Sequence, residues 1–190
     1  MISMILRKNK FQNKIAYHKT GKGEPIILLH GLGLRAESWI EQINFFQKKF
    51  TVYAIDLPGH GKSNILPIKK VVLKNYSEKV IQFIKDKNIN KPILIGHSFG
   101  ALITIQIAGL QPNILKSGIA VAPIHDRSKE ALINVKKRAK ELKKNPSERI
   151  TIIDPIQRWF GNSRSKKIID TSNFIKDLLK LNKKFNLKGY

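Results

Sequence analysis

The sequence contains no cysteine, which excludes at once a disulfide framework, a thiolate nucleophile and a cysteine-ligated zinc site. It lacks any apolar run approaching the roughly 20 residues that span a bilayer, so no membrane insertion is expected. No secretory leader is expected either. "MISMILRKNK" places its short apolar stretch before its charges, the reverse of a leader, and points to a cytoplasmic protein. Acids are scarce, 13 Asp and Glu against 36 Lys and Arg, for a formal net charge of +23. Such an excess invites a nucleic-acid reading. The surplus is almost all lysine, however, and the arginine and aromatic interleaving that phosphate forks and base stacking favour is thin, with aromatics at 8%. Lys, Ile and Asn are abundant along the whole chain. The charge therefore reads as compositional bias and solubility, and no specific nucleic-acid partner is expected. No pair of His and carboxylates has helical ligand spacing within a helical pattern, so neither a metal nor a cofactor is implied.

What the chain does have is length, 190 residues, enough for one domain with a real core. Up to Pro123 short apolar runs alternate with helical patterns. "EPIILLH" (24–30), "TVYAID" (51–56), "KPILIG" (91–96) and "KSGIAVA" (116–122) are continuous apolar stretches, which suit strands covered on both faces in a parallel sheet. Between them, "AESWIEQINFFQKKF" aligns Trp39, Ile40, Ile43, Phe46 and Phe50 on one stripe. "SEKVIQFIKDKNI" starts from a candidate cap at Ser77, and "ALITIQIAGL" is apolar nearly all round, as a buried helix would be. This alternation predicts an α/β, doubly wound and mostly parallel sheet for residues 1–126. From Arg127 onward the strand runs stop. Residues 127–190 carry 18 Lys and Arg against 6 acids. Helical spacing of Ala131, Leu132, Val135, Ala139 and Leu142, then of Phe174, Ile175, Leu178 and Leu179, predicts a helical lid with a basic outer face.

The densest chemistry lies in "ILIGHSFGA" (93–101). Gly96-His97-Ser98-Phe99-Gly100 matches G-x-S-x-G between a strand and a helix, the context a nucleophile elbow demands. A serine on so sharp a turn needs neighbours without side chains two residues away on each side, which Gly96 and Gly100 supply. The helix then begins at the serine, so the Phe99 amide is free to donate to a developing oxyanion. "LLHGLGLRAESW" follows the first strand run, and its glycine-rich loop can offer a second amide, that of Leu32, beside the serine. His30 in that loop reads as structural.

"AIDLPGHGKS" (54–63) tests a rival class, the P-loop nucleotide binder. That motif needs glycine where Asp56 stands, and a helix directly after Lys62-Ser63. Asn64-Ile65-Leu66-Pro67 follows instead, so the match fails twice.

Taken together and in this order, "HGLG…W", "DLPGHGKS" and "GHSFG" resemble the alpha/beta-hydrolase fold family, over about Gly21 to Pro123. They are most similar to its lidded group of small esterases, enol-lactonases and carbon–carbon bond hydrolases. "IQRWFGNS" (156–163) and "NLKGY" (186–190) resemble pieces of that group's lid. The resemblance implies Ser98 as nucleophile, Leu32 and Phe99 as oxyanion-hole amides, and Gly31, His97 and Trp159 along the substrate.

The family's order is serine, then acid, then histidine. The histidines of this chain are His18, His30, His60, His97 and His125, and none follows residue 125. His125 and Asp126, at the end of the "GIAVAP" strand, are kept as a candidate base and acid. Asp126 equally suits a cap for the next helix, and adjacent residues on one loop rarely converge on a serine. The resemblance thus implies that the last strands, with the family's acid and histidine loops, are absent, leaving the first three-quarters of a hydrolase. The expected activity is attack of Ser98 on carboxylic esters, lactones or related small carbonyl substrates through an acyl-enzyme, with the basic lid favouring anionic acids. The competing expectation is a truncated, non-catalytic remnant or binding protein of the same fold.

Overall fold

The computed structural model describes residues 6–10, 15–68, 71–124, 126–144, 159–162 and 165–181. Six strands form one sheet: β1 (Asn9–Lys10), β2 (Ala16–Thr20), β3 (Glu24–Leu29), β4 (Phe50–Ile55), β5 (Ile93–His97) and β6 (Ser117–Val121), in the order β1-β2-β4-β3-β5-β6. β4, β3, β5 and β6 run parallel, while β1 and β2 join antiparallel at one side. A short 3-10 turn (Ala36–Trp39) leads into α1 (Ile40–Phe46), followed by α2 (Leu73–Asp86), α3 (Phe99–Leu110), α4 (Lys129–Lys144) and α5 (Lys166–Leu181). The α/β, mostly parallel sheet read from the sequence is the observed architecture. Among the described residues no helix is long and apolar enough to cross a membrane.

The continuous apolar strands serve two cores because successive side chains point to opposite faces. Ile27, Leu29, Tyr53, Ile55 and Leu94 pack beneath α2 and α3, against Val80, Phe83, Ile84, Ile103 and Ile107. Ile26, Leu28, Val52, Ala54 and Ile95 face the other way, against Ala36, Trp39 and Ile43. Phe83 is fully buried and meets Tyr17 (ring centroids 5.2 Å apart) and Tyr53 (6.1 Å) edge-on. Phe83→Ala is expected to destabilise the fold by about 3–5 kcal/mol in urea titration; a loss under about 1 kcal/mol would mean that the pocket collapses around the smaller side chain.

Several local expectations change. α2 starts at Leu73 rather than after Ser77, because Asn75 reaches back to accept the Val72 N–H (3.0 Å). Ser77 lies inside the helix, where its hydroxyl donates to Gln106 Oε1 of α3 (2.6 Å). Phe50 leaves the helical stripe and opens β4, since α1 stops at Phe46. β6 is parallel as expected but not covered on both faces: Ile119 is 47% and Val121 42% exposed. α3 is likewise buried on one side only, through Ala101, Ile103, Thr104 and Ile107, with Ile105 and Leu110 outside.

Candidate active site

β5 delivers Ser98 to the carboxyl end of the parallel strands, and α3 starts one residue later. The turn holds Ser98 at φ 52°, ψ −108°, a backbone state that a serine keeps only when its surroundings over-determine it. The Ser98 N–H donates to the Val121 carbonyl of β6 (2.9 Å), and its own carbonyl accepts the Ala101 N–H (3.1 Å). A Cβ on Gly96 would overlap the Gly100 carbonyl. One on Gly100 would overlap the Leu29 carbonyl oxygen and stand 2.9 Å from that of His30. These two glycines are required by the close approach of helix to strands, and the tight turn follows from that approach. The Phe99 ring packs edge-on against Tyr76 of α2, centroids 4.9 Å apart, which seats the first turn of α3. At that position the Phe99 N–H has no intrahelical acceptor.

The loop after β3 runs alongside. A Cβ on Gly31 would come within 3.2 Å of His97 Nδ1 and 3.4 Å of Ser98 Cβ, so the bare backbone of Gly31 borders both. Two amides of this loop are engaged: Leu34 N–H donates to the Gly31 carbonyl (3.1 Å) and Gly33 N–H to His60 Nε2 (3.1 Å). The Leu32 N–H has no acceptor among the described residues. The structure thus brings Gly31, Leu32, His97, Ser98 and Phe99 together. From α5, Leu178 is buried and Leu179 Cδ2 lies 3.6 Å from where a Gly33 Cβ would be, so this helix covers the loop.

Two buried histidines hold the loop from below. His30 Nε2 accepts the Leu57 N–H (3.0 Å), so its proton sits on Nδ1 and goes to the Gly31 carbonyl (2.7 Å). His60 repeats the pattern, with Nε2 facing Gly33 and the Nδ1–H donating to the Pro58 carbonyl (3.0 Å). Their rings are 5.0 Å apart. Burial pushes each imidazole down to about 3, and for His60 the neighbouring His30 lowers it further. Both are neutral clamps with both ring nitrogens committed to the backbone. Burial also lowers His97, which is only half covered. No described histidine hydrogen-bonds Ser98; His18 Nδ1 instead pairs with the Arg7 carbonyl (2.8 Å).

The remaining expected residues lie apart or outside. Asp126 is exposed, and the cap it was expected to supply is made by Ser128, whose hydroxyl accepts the Ala131 N–H (3.2 Å). His125 lies outside the described residues, as do half of "IQRWFGNS" and all of "NLKGY". Trp159 is 48% exposed on the short segment before α5. Sequence reading missed a buried cluster under the loop. Lys8 Nζ meets Glu37 Oε2 at 2.6 Å and both oxygens of Asp56 at 2.8 and 2.9 Å, while Arg35 grips Glu37 through Nε (2.8 Å) and a terminal nitrogen (3.2 Å). Asp56 stands in the quoted "DLPGHGKS" motif, which was its one available signal.

Comparison with known proteins places the fold. The family model for the alpha/beta hydrolase fold matches residues 24–145. The chain is 36% identical over 169 residues to the (E)-2-((N-methylformamido)methylene)succinate hydrolase of Acinetobacter baylyi, covering 88% of this chain and 62% of that protein. It is 35% identical over 111 residues to the pimeloyl-[acyl-carrier protein] methyl ester esterase of Proteus mirabilis, covering 58% and 41%. The chain therefore spans less than two thirds of the length of these curated relatives. The enol-lactonase of Burkholderia xenovorans superposes with a TM-score of 0.75 at 19% identity, over 92% of this chain and 68% of that one. With a family model that matches residues 24–145, the chain belongs to the alpha/beta hydrolase fold family.

Proposed function

We propose that this chain carries the nucleophile side of a serine hydrolase site acting on carboxylic esters, lactones or related carbonyl compounds. The observation that carries the reading is the backbone of Ser98 at φ 52°, a strain with no structural use unless the hydroxyl must stand clear of strand and helix. Ser98 Oγ adds to the substrate carbonyl and the carbonyl oxygen gathers the negative charge. The unengaged amides of Leu32 and Phe99 receive that charge, and collapse expels the alcohol or ring oxygen to leave an acyl-serine, which water hydrolyses. Gly31 and His97 border the serine and line the substrate. Residues 127–190, with α5 over the loop and Trp159 ahead of it, act as the lid on a core of residues 1–126. The group that takes the Ser98 proton is not among the described residues. Lysines of the lid favour an anionic substrate, in keeping with the succinate derivative in the name of the Acinetobacter relative.

The test is covalent labelling with a fluorophosphonate probe, followed by mass mapping of the modified peptide. Wild type is expected to gain one probe on Ser98, and Ser98→Ala to lose at least 100-fold in labelling rate with an unchanged melting temperature. The absence of a described histidine at Ser98 favours a second reading, a non-catalytic binding protein of the same fold. Folded wild-type protein that takes up no probe supports that alternative and ends the first.

A further inference from the structure

The N-terminal segment reaches under the proposed oxyanion loop with one side chain. Lys8 has a fully buried side chain, and its ammonium has three donors facing three carboxylate oxygens: Glu37 Oε2, Asp56 Oδ1 and Asp56 Oδ2. Those carboxylates are in turn bound to the backbone that follows the loop. Asp56 Oδ1 accepts the Ala36 N–H (2.9 Å), and Asp56 Oδ2 accepts the Lys62 N–H (2.9 Å). Glu37 is the next residue after Ala36, and Arg35, the residue before it, grips the same Glu37 side chain. Two cations and two anions thus balance around Ala36, with every close contact charge-assisted.

We propose that Lys8 is a positioning residue for the Gly31–Leu34 loop, holding through Asp56 and Glu37 the backbone end from which the Leu32 amide is aimed. Besides the His30 clamp on the Gly31 carbonyl, three further attachments bear on the loop. β3 fixes its start, His60 holds Gly33, and the charge cluster fixes its far end at Ala36. Without Lys8 the two carboxylates are left with one cation between them in a buried site, which drives them apart or draws in water. Ala36, hydrogen-bonded to one and adjacent to the other, moves with them, and the loop loses its far anchor. Lysine suits the position because its compact ammonium turns three donors towards three oxygens at one point, whereas a planar guanidinium fork spreads its donors. The idea rests on the reading of Leu32 as an oxyanion donor, while the coupling of Lys8 to the loop stands independently of it.

The experiment compares Lys8→Met and Lys8→Arg with a core variant of reduced stability, Ile84→Val, in the full chain. Amide hydrogen exchange reads the loop directly, and fluorophosphonate labelling reads its use. In Lys8→Met the Gly33 and Ala36 amides should exchange at least tenfold faster while those of Val80 to Ile84 stay within twofold of the Ile84→Val protein. The maximal rate of Ser98 labelling should fall at least tenfold with half-saturation changed less than twofold. Lys8→Arg retains the charge, so it keeps the fold if Lys8→Met does not, and should still loosen Ala36. Unchanged exchange at Ala36 in Lys8→Arg, or a loss in Lys8→Met spread evenly over loop and α2, overturns the proposal. If wild type takes up no probe, the serine-hydrolase reading fails, and the exchange data alone decide the role of Lys8.

Discussion

Replacing Gly100 by alanine is expected to cost at least about 3 kcal/mol of stability, the upper end for an added methyl group. The new Cβ would overlap the Leu29 carbonyl oxygen and lie 2.8 Å from its carbon and 2.9 Å from the His30 oxygen. All three are backbone atoms at the end of β3 and the first residue beyond it, so no side chain can swing away to make room. Relief requires α3 to lift off β3, which releases the Ser98 turn. The same helix supplies the control. A Cβ on Gly109 meets nothing within 4 Å, and alanine there should stabilise by about 0.5–1 kcal/mol through helix propensity and reduced unfolded-state entropy. Urea denaturation of the two variants should therefore give opposite signs. A Gly100→Ala protein as stable as wild type would show that helix and strand are not pressed together as described.

The fold should also fail in mild acid. His30 and His60 both titrate at about 3 when folded, against 6.5 for an unperturbed imidazole. Between those limits the unfolded chain binds protons that the folded chain refuses, so stability is complete above about pH 6.5 and falls as the pH drops towards 3. Each histidine contributes up to about 1.4 kcal/mol for each pH unit in that window. Against a total stability on the order of 5–15 kcal/mol, two such groups together remove up to about 10 kcal/mol by pH 3, a large part of that margin. Circular dichroism during acid titration should show a cooperative transition below pH 6 that steepens towards two protons. In His60→Gln, where an amide oxygen can still accept the Gly33 N–H, the slope should drop towards one. Stability that stays level from pH 7 to pH 4.5 contradicts the buried neutral pair.

Much of this arrangement is legible in the residues themselves, and the limits are physical. The strands β3, β4 and β5 announce themselves because both faces are covered and polar residues have no place in them. Gly96, Ser98 and Gly100 are legible for a steric reason, since no other pattern lets a helix begin so close to a strand. β2 is illegible because "AYHKT" is paired by backbone and half exposed, so its side chains carry no period. β6 misled in the other direction: an apolar run reports what could be covered, and among the described residues α3 covers one face of it while Ile119 and Val121 stay exposed. The Lys8 cluster was out of reach for another reason. Its partners are 29 and 48 residues away, and a lysine in a lysine-rich chain bears no mark of burial.

The sheet order has a consequence for how the molecule comes into being. β3 sits between β4 and β5, and both neighbours are synthesised after it, so its parallel pairings must close long stretches of chain before they are rewarded. Gly100 can be pressed against Leu29 only when β3 and β5 are already side by side. The contorted serine turn is therefore imposed from outside, late, by strands that have found each other. Until the centre of the sheet has closed, nothing among the described residues would hold Ser98 in its left-handed turn.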